Sequence, residues 1–199
     1  MADSQSPAAA GVARLASSDA QEREEAAHTL FRLGCGIAEP ILKTWFADRE
    51  FRALVRGSGS LLTVGVAVEP ARFQAIRRAF GQPHLADVPA DQDVLEFGLE
   101  FAHGVRLDIL TARDAGGGSI ARFLARFGEG IQQVECDVRD VSRATQILRA
   151  RFALEPVYPE TRAGADGTSV NFFLVPLPEG GKVLVELVEV PAAKTPKKK

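Results

Sequence analysis

The sequence is poor in cysteine, in histidine and in long apolar runs. Its 199 residues include two cysteines and three histidines. Cys35 and Cys136 lie far apart, without the close spacing of a zinc site or redox pair, and we expect both to be buried reduced thiols. No stretch approaches the roughly 18 consecutive apolar residues of a membrane-spanning helix. The start of the sequence lacks the basic flank and apolar core of a signal peptide, so we expect a soluble, cytoplasmic protein.

Neither sign of charge is in large excess. The formal net charge is −2, but four lysines lie among the last six residues and leave −6 on the rest of the chain. An acidic body is a poor match for a phosphate backbone, so we expect no nucleic acid as a partner. Without a membrane-spanning run we expect no membrane as a partner either. The basic tail, residues 192–199, is predicted to be disordered.

The N-terminal third of the chain is predicted to be helical. Residues 1–12 are rich in alanine and serine and are expected to be disordered, whereas residues 13–57 carry apolar side chains at helical spacing. Ser18 or Asp19 is predicted to cap a first helix that ends near Gly34, and Pro40 fits the first turn of a second helix. This pair resembles a single HEAT-type repeat. One repeat cannot bury its apolar stripe alone, so it either extends the core or binds a partner.

After residue 58 the apolar period changes from helical to alternating. The predicted strands span residues 64–68, 94–101, 105–110, 131–138, 153–158, 169–175 and 183–189. The predicted helices span residues 70–80, 120–127 and 141–151. We interpret residues 58–191 as one α+β domain of two βαβββ modules, residues 61–118 and 129–190.

Polar side chains share one face of this predicted sheet. Residues two apart lie on the same side of a strand, so Gln133, Glu135 and Asp137 face away from the apolar residues between them. Glu96, Asp108 and Glu186 alternate with apolar neighbours in the same way. This surface is either a solvated sheet face with local ion pairs, such as Arg106 with Glu135, or the floor of a cleft.

Five segments carry a resemblance to a known family. They read LTVGVAV from residue 62, IARFL from 120, GEGI from 128, NFF from 171 and VLVEL from 183. In this order and spacing they resemble the signature segments of the vicinal oxygen chelate superfamily, and within it those of methylmalonyl-CoA epimerases. The resemblance implies an incompletely closed, eight-stranded barrel formed by the two modules. It also implies a divalent metal in the cleft, with one ligand at the start and one at the end of each module.

The ligand positions that this resemblance implies are only partly preserved. Thr63 stands where the family has a histidine and is a poor ligand. Asp108 takes the place of a glutamate or glutamine, Gln133 replaces a second histidine, and Glu186 is kept. Asp108, Gln133 and Glu186 offer only oxygen atoms, a set that suits Mg²⁺ or Mn²⁺ with several waters. The chain either binds such an ion or has lost the metal, and we favour the loss.

Two functions remain open from the sequence. Glu96 aligns with a strand position that supplies an acid–base carboxylate in some epimerases, and Glu186 is the other candidate base; either is otherwise a hydrogen-bonded strand carboxylate. The lost histidines favour a non-catalytic adaptor that holds a small molecule or a protein in its cleft, with a homodimer allowed. The alternative is a divalent-metal-dependent epimerase or lyase acting on an acyl-CoA or another oxygen-rich small molecule.

Overall fold

A computed structural model describes residues 6–56, 62–114, 117–178 and 180–191. The helices are α1 (Pro7–Leu15), α2 (Ala20–Phe46), α3 (Arg49–Leu54), α4 (Pro70–Ala79), α5 (Ser119–Phe127) and α6 (Val141–Phe152). The strands are β1 (Leu62–Ala67), β2 (Val94–Phe101), β3 (Val105–Ala112), β4 (Gly130–Asp137), β5 (Arg162–Ala163), β6 (Ser169–Pro176) and β7 (Lys182–Glu189). Among these elements, no helix has the length and apolar character to cross a membrane.

The seven strands form one mixed sheet in the order β2-β3-β1-β4-β7-β6-β5. β1 pairs in parallel with β3, and β4 in parallel with β7, whereas the remaining neighbours are antiparallel. The sheet curls into a half-barrel, and helices cover its convex face. The α+β class predicted from the sequence is confirmed.

The described residues do not form the eight strands in two matching modules that were expected. Residues 153–158 were predicted to form a strand. Ala153 instead ends α6 in a left-handed conformation, and the residues after it make only an isolated bridge from Pro156 to Phe173. The two-residue β5 takes the edge position instead. In the first half of the sheet domain, the segment between α4 and β2 forms no strand. Within this segment, the backbone N–H of Ala86 donates to the carbonyl of Glu96. The halves therefore differ strand for strand.

Loop contacts connect the two edges of the curled sheet. The loop before β2 carries Asp87, whose backbone N–H donates to Asp166 Oδ1 at 2.8 Å in the loop between β5 and β6. The backbone N–H of Asp166 donates back to the carbonyl of Asp87 at 3.0 Å. Gln92 adds a bond from Nε2 to the carbonyl of Ala163 at 2.8 Å. These bonds close one side of the half-barrel where no strand pairing does.

The N-terminal segment differs most from the prediction. Its two expected helices form one 27-residue helix, α2, which continues through Gly34 and Pro40. A Cβ atom at Gly34 would lie 2.5 Å from Val64 Cγ2, so this glycine lets the helix approach the sheet and does not end the helix. The HEAT-type hairpin is therefore not formed. The expected disorder is also wrong over residues 7–12, which belong to α1, while residues 1–5 and the tail 192–199 lie outside the described residues.

Helix α2 covers the convex face along its length. Its first half buries Leu30 against Val64 and Val66 of β1 in one apolar cluster. Its second half buries Trp45 in another cluster with residues of β4, β6 and β7, and the Trp45 ring lies 6.4 Å from that of Phe173. The helical segment is therefore continuous with the core of the sheet. Cys136 lies in the second cluster and Cys35 beside it, and both are free thiols.

Candidate active site

The concave face of the sheet carries a floor of acidic and amide side chains. Cross-strand pairing places Thr63, Glu135 and Glu186 side by side on β1, β4 and β7. Gln133 lies opposite Gly65, which in turn pairs with Asp108 of β3. The alternation of each strand thus brings the polar side chains to one surface while their neighbours pack under the helices.

Gln133 is buried at the centre of this floor. Its amide Nε2 donates to Glu186 Oε2 at 2.5 Å and to Glu135 Oε1 at 3.1 Å. A Cβ atom on Gly65 would lie 2.5 Å from Gln133 Cγ. The Gln133 side chain therefore occupies space that is open only because residue 65 is glycine. The register between β1 and β4 shifts next to Gly65, and as a result Gln132 also lines the cleft.

Asp108 and Glu135 are joined by a side-chain hydrogen bond. Two carboxyl groups can share such a bond only when one of them is protonated. Burial, followed by the charges of Asp108 and Glu186, raises the pKa of Glu135 well above its usual range. Burial also raises the pKa of Glu186, with further contributions from Glu96 and Asp108. Burial and mutual repulsion thus favour the protonated forms of these carboxyl groups.

Glu96 approaches this floor from the other wall of the cleft. It lies on β2, at one edge of the sheet, and the curl of the sheet brings it within electrostatic reach of Glu186. Burial, followed by the charges of Asp108 and Asp166, raises the pKa of Glu96 to about 8. A carboxyl group with such a pKa changes its proton occupancy near physiological pH, as acid–base catalysis requires.

Arg106 does not form the ion pair that the sequence predicted. Its guanidinium donates to Asp137 Oδ2 at 2.9 Å, and the predicted partner Glu135 bonds Gln133 and Asp108 instead. Arg106 of β3 and Asp137 of β4 both line the cleft, beyond Thr63 at one end of the floor. Because Arg106 pairs with Asp137, Glu135 interacts with the acidic and amide side chains of the floor.

Gln133 is oriented as a hydrogen-bond donor toward the carboxyl groups of the floor and not as a metal ligand. A metal ligand has to present a lone pair, but Gln133 turns N–H donors toward both neighbouring carboxyl groups. Within the described ranges, no group of three or more His, Cys, Asp or Glu side chains is placed to hold a metal ion. The metal site expected at Asp108, Gln133 and Glu186, with Thr63 at a lost position, stays a prediction.

The floor lies in a wide cleft of about 1930 Å³. This volume exceeds the roughly 300–1,000 Å³ of most small-molecule pockets. Helix α5 lines one end of the cleft, and Tyr158, Phe172 and Leu174 line the wall of the second half. The large apolar side chains that are exposed among the described residues all line it too: Phe127, Val157, Leu174 and Val190. The cleft thus combines an acidic floor with an apolar rim.

The structure brings together most of the residues singled out from the sequence. Glu96, Asp108, Gln133 and Glu186 all line the cleft, as does Thr63. Glu135 was predicted to share their face but was not named as a site residue, and it proves to be bonded to both Gln133 and Asp108. Asp166 was missed because it lies in a loop, where no strand alternation indicates its direction.

Comparisons with known proteins give a consistent result. No protein-family model and no curated protein matches the sequence. Among solved structures, the methylmalonyl-CoA epimerase from Mycobacterium tuberculosis is 30% identical, covering 70% of this chain and 94% of its own, with a TM-score of 0.54. A variant of the Streptomyces coelicolor methylmalonyl-CoA epimerase in complex with 2-nitronate-propionyl-CoA is 25% identical, covering 70% of this chain and 99% of its own, with a TM-score of 0.54. A methylmalonyl-CoA epimerase in complex with methylmalonyl-CoA and ammonium, 24% identical, shares the fold over 72% of this chain and 99% of its own, also at 0.54.

Proposed function

Because the chain belongs to the vicinal oxygen chelate superfamily, which includes the methylmalonyl-CoA epimerases, we propose that it is an epimerase-type enzyme. The reaction removes and returns the proton on the carbon alpha to the carbonyl of a coenzyme A thioester. The observation that carries this proposal is that Glu96 and Glu186 line one cleft and lie within electrostatic reach of each other.

Two carboxyl groups in one cleft, carried by different strands, suit proton transfer at a single carbon atom. The ionised Glu96 would accept the proton from one face of the alpha carbon, and the protonated Glu186 would return a proton to the other face. The raised pKa of Glu96, about 8, makes it a stronger base than an exposed glutamate. Burial raises the pKa of Glu186, which favours the protonated form that the return step needs.

The enolate formed between these two steps needs a counterpart for its negative oxygen. The two N–H groups of Gln133 already donate to Glu186 and Glu135, so Gln133 positions these carboxyl groups and does not itself bind the enolate oxygen. The hydrogen-bonded pair of Asp108 and Glu135 would supply a carboxylic acid proton once the thioester oxygen replaces one partner of that bond. A protonated carboxyl group in a poorly solvated site can donate a strong hydrogen bond to a developing oxyanion. These groups support enolate formation without a step that depends on a metal.

The acidity of the floor also bears on which thioester the cleft accepts. A free carboxylate on the acyl group would lie among Asp108, Glu135 and Glu186, where burial raises the pKa of these groups and disfavours a further negative charge in the same way. We therefore infer that an uncharged 2-methylacyl thioester fits better than methylmalonyl-CoA. This inference accommodates the loss of the two histidines at Thr63 and Gln133.

The test is exchange of the alpha proton with solvent. The protein is treated with a chelator and incubated in D₂O with (S)-2-methylbutyryl-CoA, and in parallel with methylmalonyl-CoA. We expect deuterium incorporation and loss of configuration at the alpha carbon of the uncharged thioester, without added Mg²⁺ or Mn²⁺. If neither thioester exchanges, with or without these metals, the enzyme proposal is wrong. The non-catalytic binding protein favoured from the sequence would then be the better explanation.

A further inference from the structure

The two halves of the concave face differ in character. The cleft-lining side chains of β1 to β4 are mostly polar or charged. Those of β6 and β7 are apolar except for Glu186 and the exposed Lys182, and they comprise Phe172, Leu174, Leu184 and Val188. Glu186 therefore lies on the boundary between the acidic floor and an apolar surface.

Phe172 lies beside the candidate acid, Glu186. The register of the sheet places Phe172 of β6 directly opposite Glu186 of β7. Residues in such a pair have Cβ atoms about 4.5–5.5 Å apart. A carboxyl group that transfers a proton has to approach the reacting carbon to about 3 Å. The substituents of a carbon atom held beside Glu186 therefore reach the Phe172 ring.

The segment after α6 adds two more apolar side chains to this surface. The backbone N–H of Val157 donates to the carbonyl of Phe172 at 2.7 Å, and Asn171 Nδ2 donates to the carbonyl of Tyr158 at 3.3 Å. These bonds fix the segment along β6. The Tyr158 ring meets the Phe172 ring edge to face, with 6.0 Å between their centres. Val157, Tyr158, Phe172 and Val188 all line the cleft, and we call them the apolar wall.

A paired arginine holds Tyr158 in place. The guanidinium of Arg162 lies 4.4 Å from the centre of the Tyr158 ring and forms an ion pair with Asp91. Asp91 precedes β2, so this pair connects the apolar wall to the opposite edge of the curled sheet. Because Arg162 already has a carboxylate partner, it does not provide a free cation for an anionic substituent at this wall.

The apolar wall extends in one direction from Glu186. Val188 follows Glu186 on the same face of β7, roughly 7 Å further along the strand. Because β6 is antiparallel to β7, Tyr158, whose carbonyl is bonded by Asn171, lies on the same side of Phe172 as Val188. Helix α5 leads into the start of β4, which is parallel to β7, and therefore lies at the other end. A chain that runs from Glu186 along the wall thus leads away from α5.

The apolar wall is open to a ligand. Val157 is 45% exposed, and Tyr158 and Phe172 are half-buried. Each methylene group that a ligand buries against such a surface contributes about fourfold in affinity. A carboxylate in the same place would lose its water without gaining a cation. The surface beside Glu186 therefore favours an apolar chain on the reacting carbon.

We propose that the apolar wall binds the acyl chain of the substrate and selects 2-methylacyl thioesters with a long apolar chain over short ones. Tyr158 and Phe172 are the specificity-determining residues. This inference rests on the proposed function, since proton transfer by Glu186 is what places the reacting carbon beside Phe172. Binding of the chain nevertheless has its own readout, because it is measurable without turnover.

Isothermal titration calorimetry of the full-length protein with (S)-2-methyloctanoyl-CoA and (S)-2-methylbutyryl-CoA tests this assignment. The two ligands share the coenzyme A part and differ by four methylene groups, so the ratio of their Kd values reports on the chain alone. We expect wild type to bind the longer thioester at least about tenfold more tightly. Tyr158→Ala and Phe172→Ala should each reduce this ratio about threefold or more. Equal Kd values for the two thioesters in wild type would overturn the proposal.

Leu174→Ala is the matched control. Leu174 is 50% exposed and lies on the same face of β6 as Phe172, on the side of α5. Its substitution should leave the ratio unchanged, whereas a ratio that depends on Leu174 and not on Tyr158 would contradict the proposal. Tyr158→Phe keeps the ring and should keep the wild-type ratio. Tyr158 belongs to no helix or strand, so Tyr158→Ala remains informative if Phe172→Ala does not fold.

Deuterium exchange at the alpha carbon separates this proposal from the proposed function. If both hold, Tyr158→Ala raises KM for the longer thioester and leaves kcat for both thioesters near that of wild type. Exchange by wild type with the same kcat/KM for both thioesters contradicts the role of the apolar wall alone. Tighter, Tyr158-dependent binding of the longer thioester without exchange of either supports that role and contradicts the enzyme.

Discussion

At the scale of single residues, the acidic floor depends on contacts that strand alternation only partly predicts. Parity along β4 and β7 is enough to place Glu135 and Glu186 on one face, and it also places Glu96 and Asp108 on the corresponding face of β2 and β3. It does not indicate that Asp108 bonds Glu135, because that contact arises from the curl of the sheet. The same limit explains the wrong partner predicted for Arg106, which pairs with Asp137.

The raised pKa of Glu96 predicts a pH-dependent stability. Between about pH 4.5, the ordinary value, and pH 8, the value in the fold, the folded state holds a proton that the unfolded state has lost. Its stabilising contribution is therefore complete below this range and is lost as the pH rises through about 8. Glu96→Gln stays neutral, so its Tm relative to wild type should rise between pH 5 and pH 8.5, as measured by circular dichroism.

The control for this experiment is Glu39→Gln, which changes an exposed glutamate on α2 outside the cleft. Its Tm relative to wild type should stay constant over the same pH range. A Glu96→Gln variant whose Tm follows wild type in parallel at every pH would mean that Glu96 titrates as an exposed carboxyl group does. The electrostatic part of the site description would then be wrong.

At the scale of elements, most strands and helices of the sheet domain were predicted more closely than the N-terminal helices. Alternating residues gave the bounds of β2 correctly and those of β6 and β7 within one residue, because each of these strands has one face on the core. Gly34 and Pro40 led to a wrong division of α2. A proline at residue 40 removes one backbone donor from a helix, but the burial of Trp45 and Ile41 beyond it outweighs that local cost.

Two glycines of α2 should respond to the same substitution with opposite signs. Gly34→Ala places a Cβ atom 2.5 Å from Val64 Cγ2 and 2.7 Å from Cγ1, so the helix and sheet have to separate. Overpacking of this kind costs about 1–3 kcal/mol. A Cβ atom at Gly36 meets no other atom within 4 Å. Gly36→Ala should stabilise the protein by roughly 0.5–1 kcal/mol through helix propensity.

Urea denaturation of both variants measures this difference in the free energy of unfolding. The predicted order of stability is Gly36→Ala, then wild type, then Gly34→Ala. Stabilisation by Gly34→Ala would contradict the close approach of α2 to β1. It would favour the sequence-based interpretation, in which this glycine ends a helix.

At the scale of the whole molecule, one curled sheet separates two environments. The convex face is apolar and covered by α1, α2, α4 and α6, whereas the concave face is acidic and lined at one end by α5. The sequence indicates the concave surface through parity and through its resemblance to a family. It gives no signal for the bonds from Asp87 to Asp166 and from Gln92 to Ala163 of β5, because they join residues more than 70 positions apart.

Removal of residues 1–57 tests whether the helical segment is an integral cover. The deletion would expose Val64, Val66 and Val134, each fully buried in the intact fold. Large exposed apolar surfaces on a monomer promote association. We expect the truncated protein to aggregate or to melt at a much lower temperature, as followed by size-exclusion chromatography and calorimetry. Deletion of residues 192–199 is the control and should change neither property, while a monomeric truncated protein with the wild-type Tm would make the segment an independent arm.

The central claim is that Glu96 and Glu186 transfer a proton at the alpha carbon of a coenzyme A thioester. Its most direct test is the rate of deuterium incorporation into (S)-2-methylbutyryl-CoA by wild type, Glu96→Gln and Glu186→Gln, with Glu39→Gln as the control. Loss of a positioned acid or base lowers such a rate by about 10²–10⁴-fold. We predict losses of this size for the two site variants, the wild-type rate for the control, and a wild-type rate that rises with pH up to about 8. Exchange by Glu96→Gln at the wild-type rate would contradict the claim.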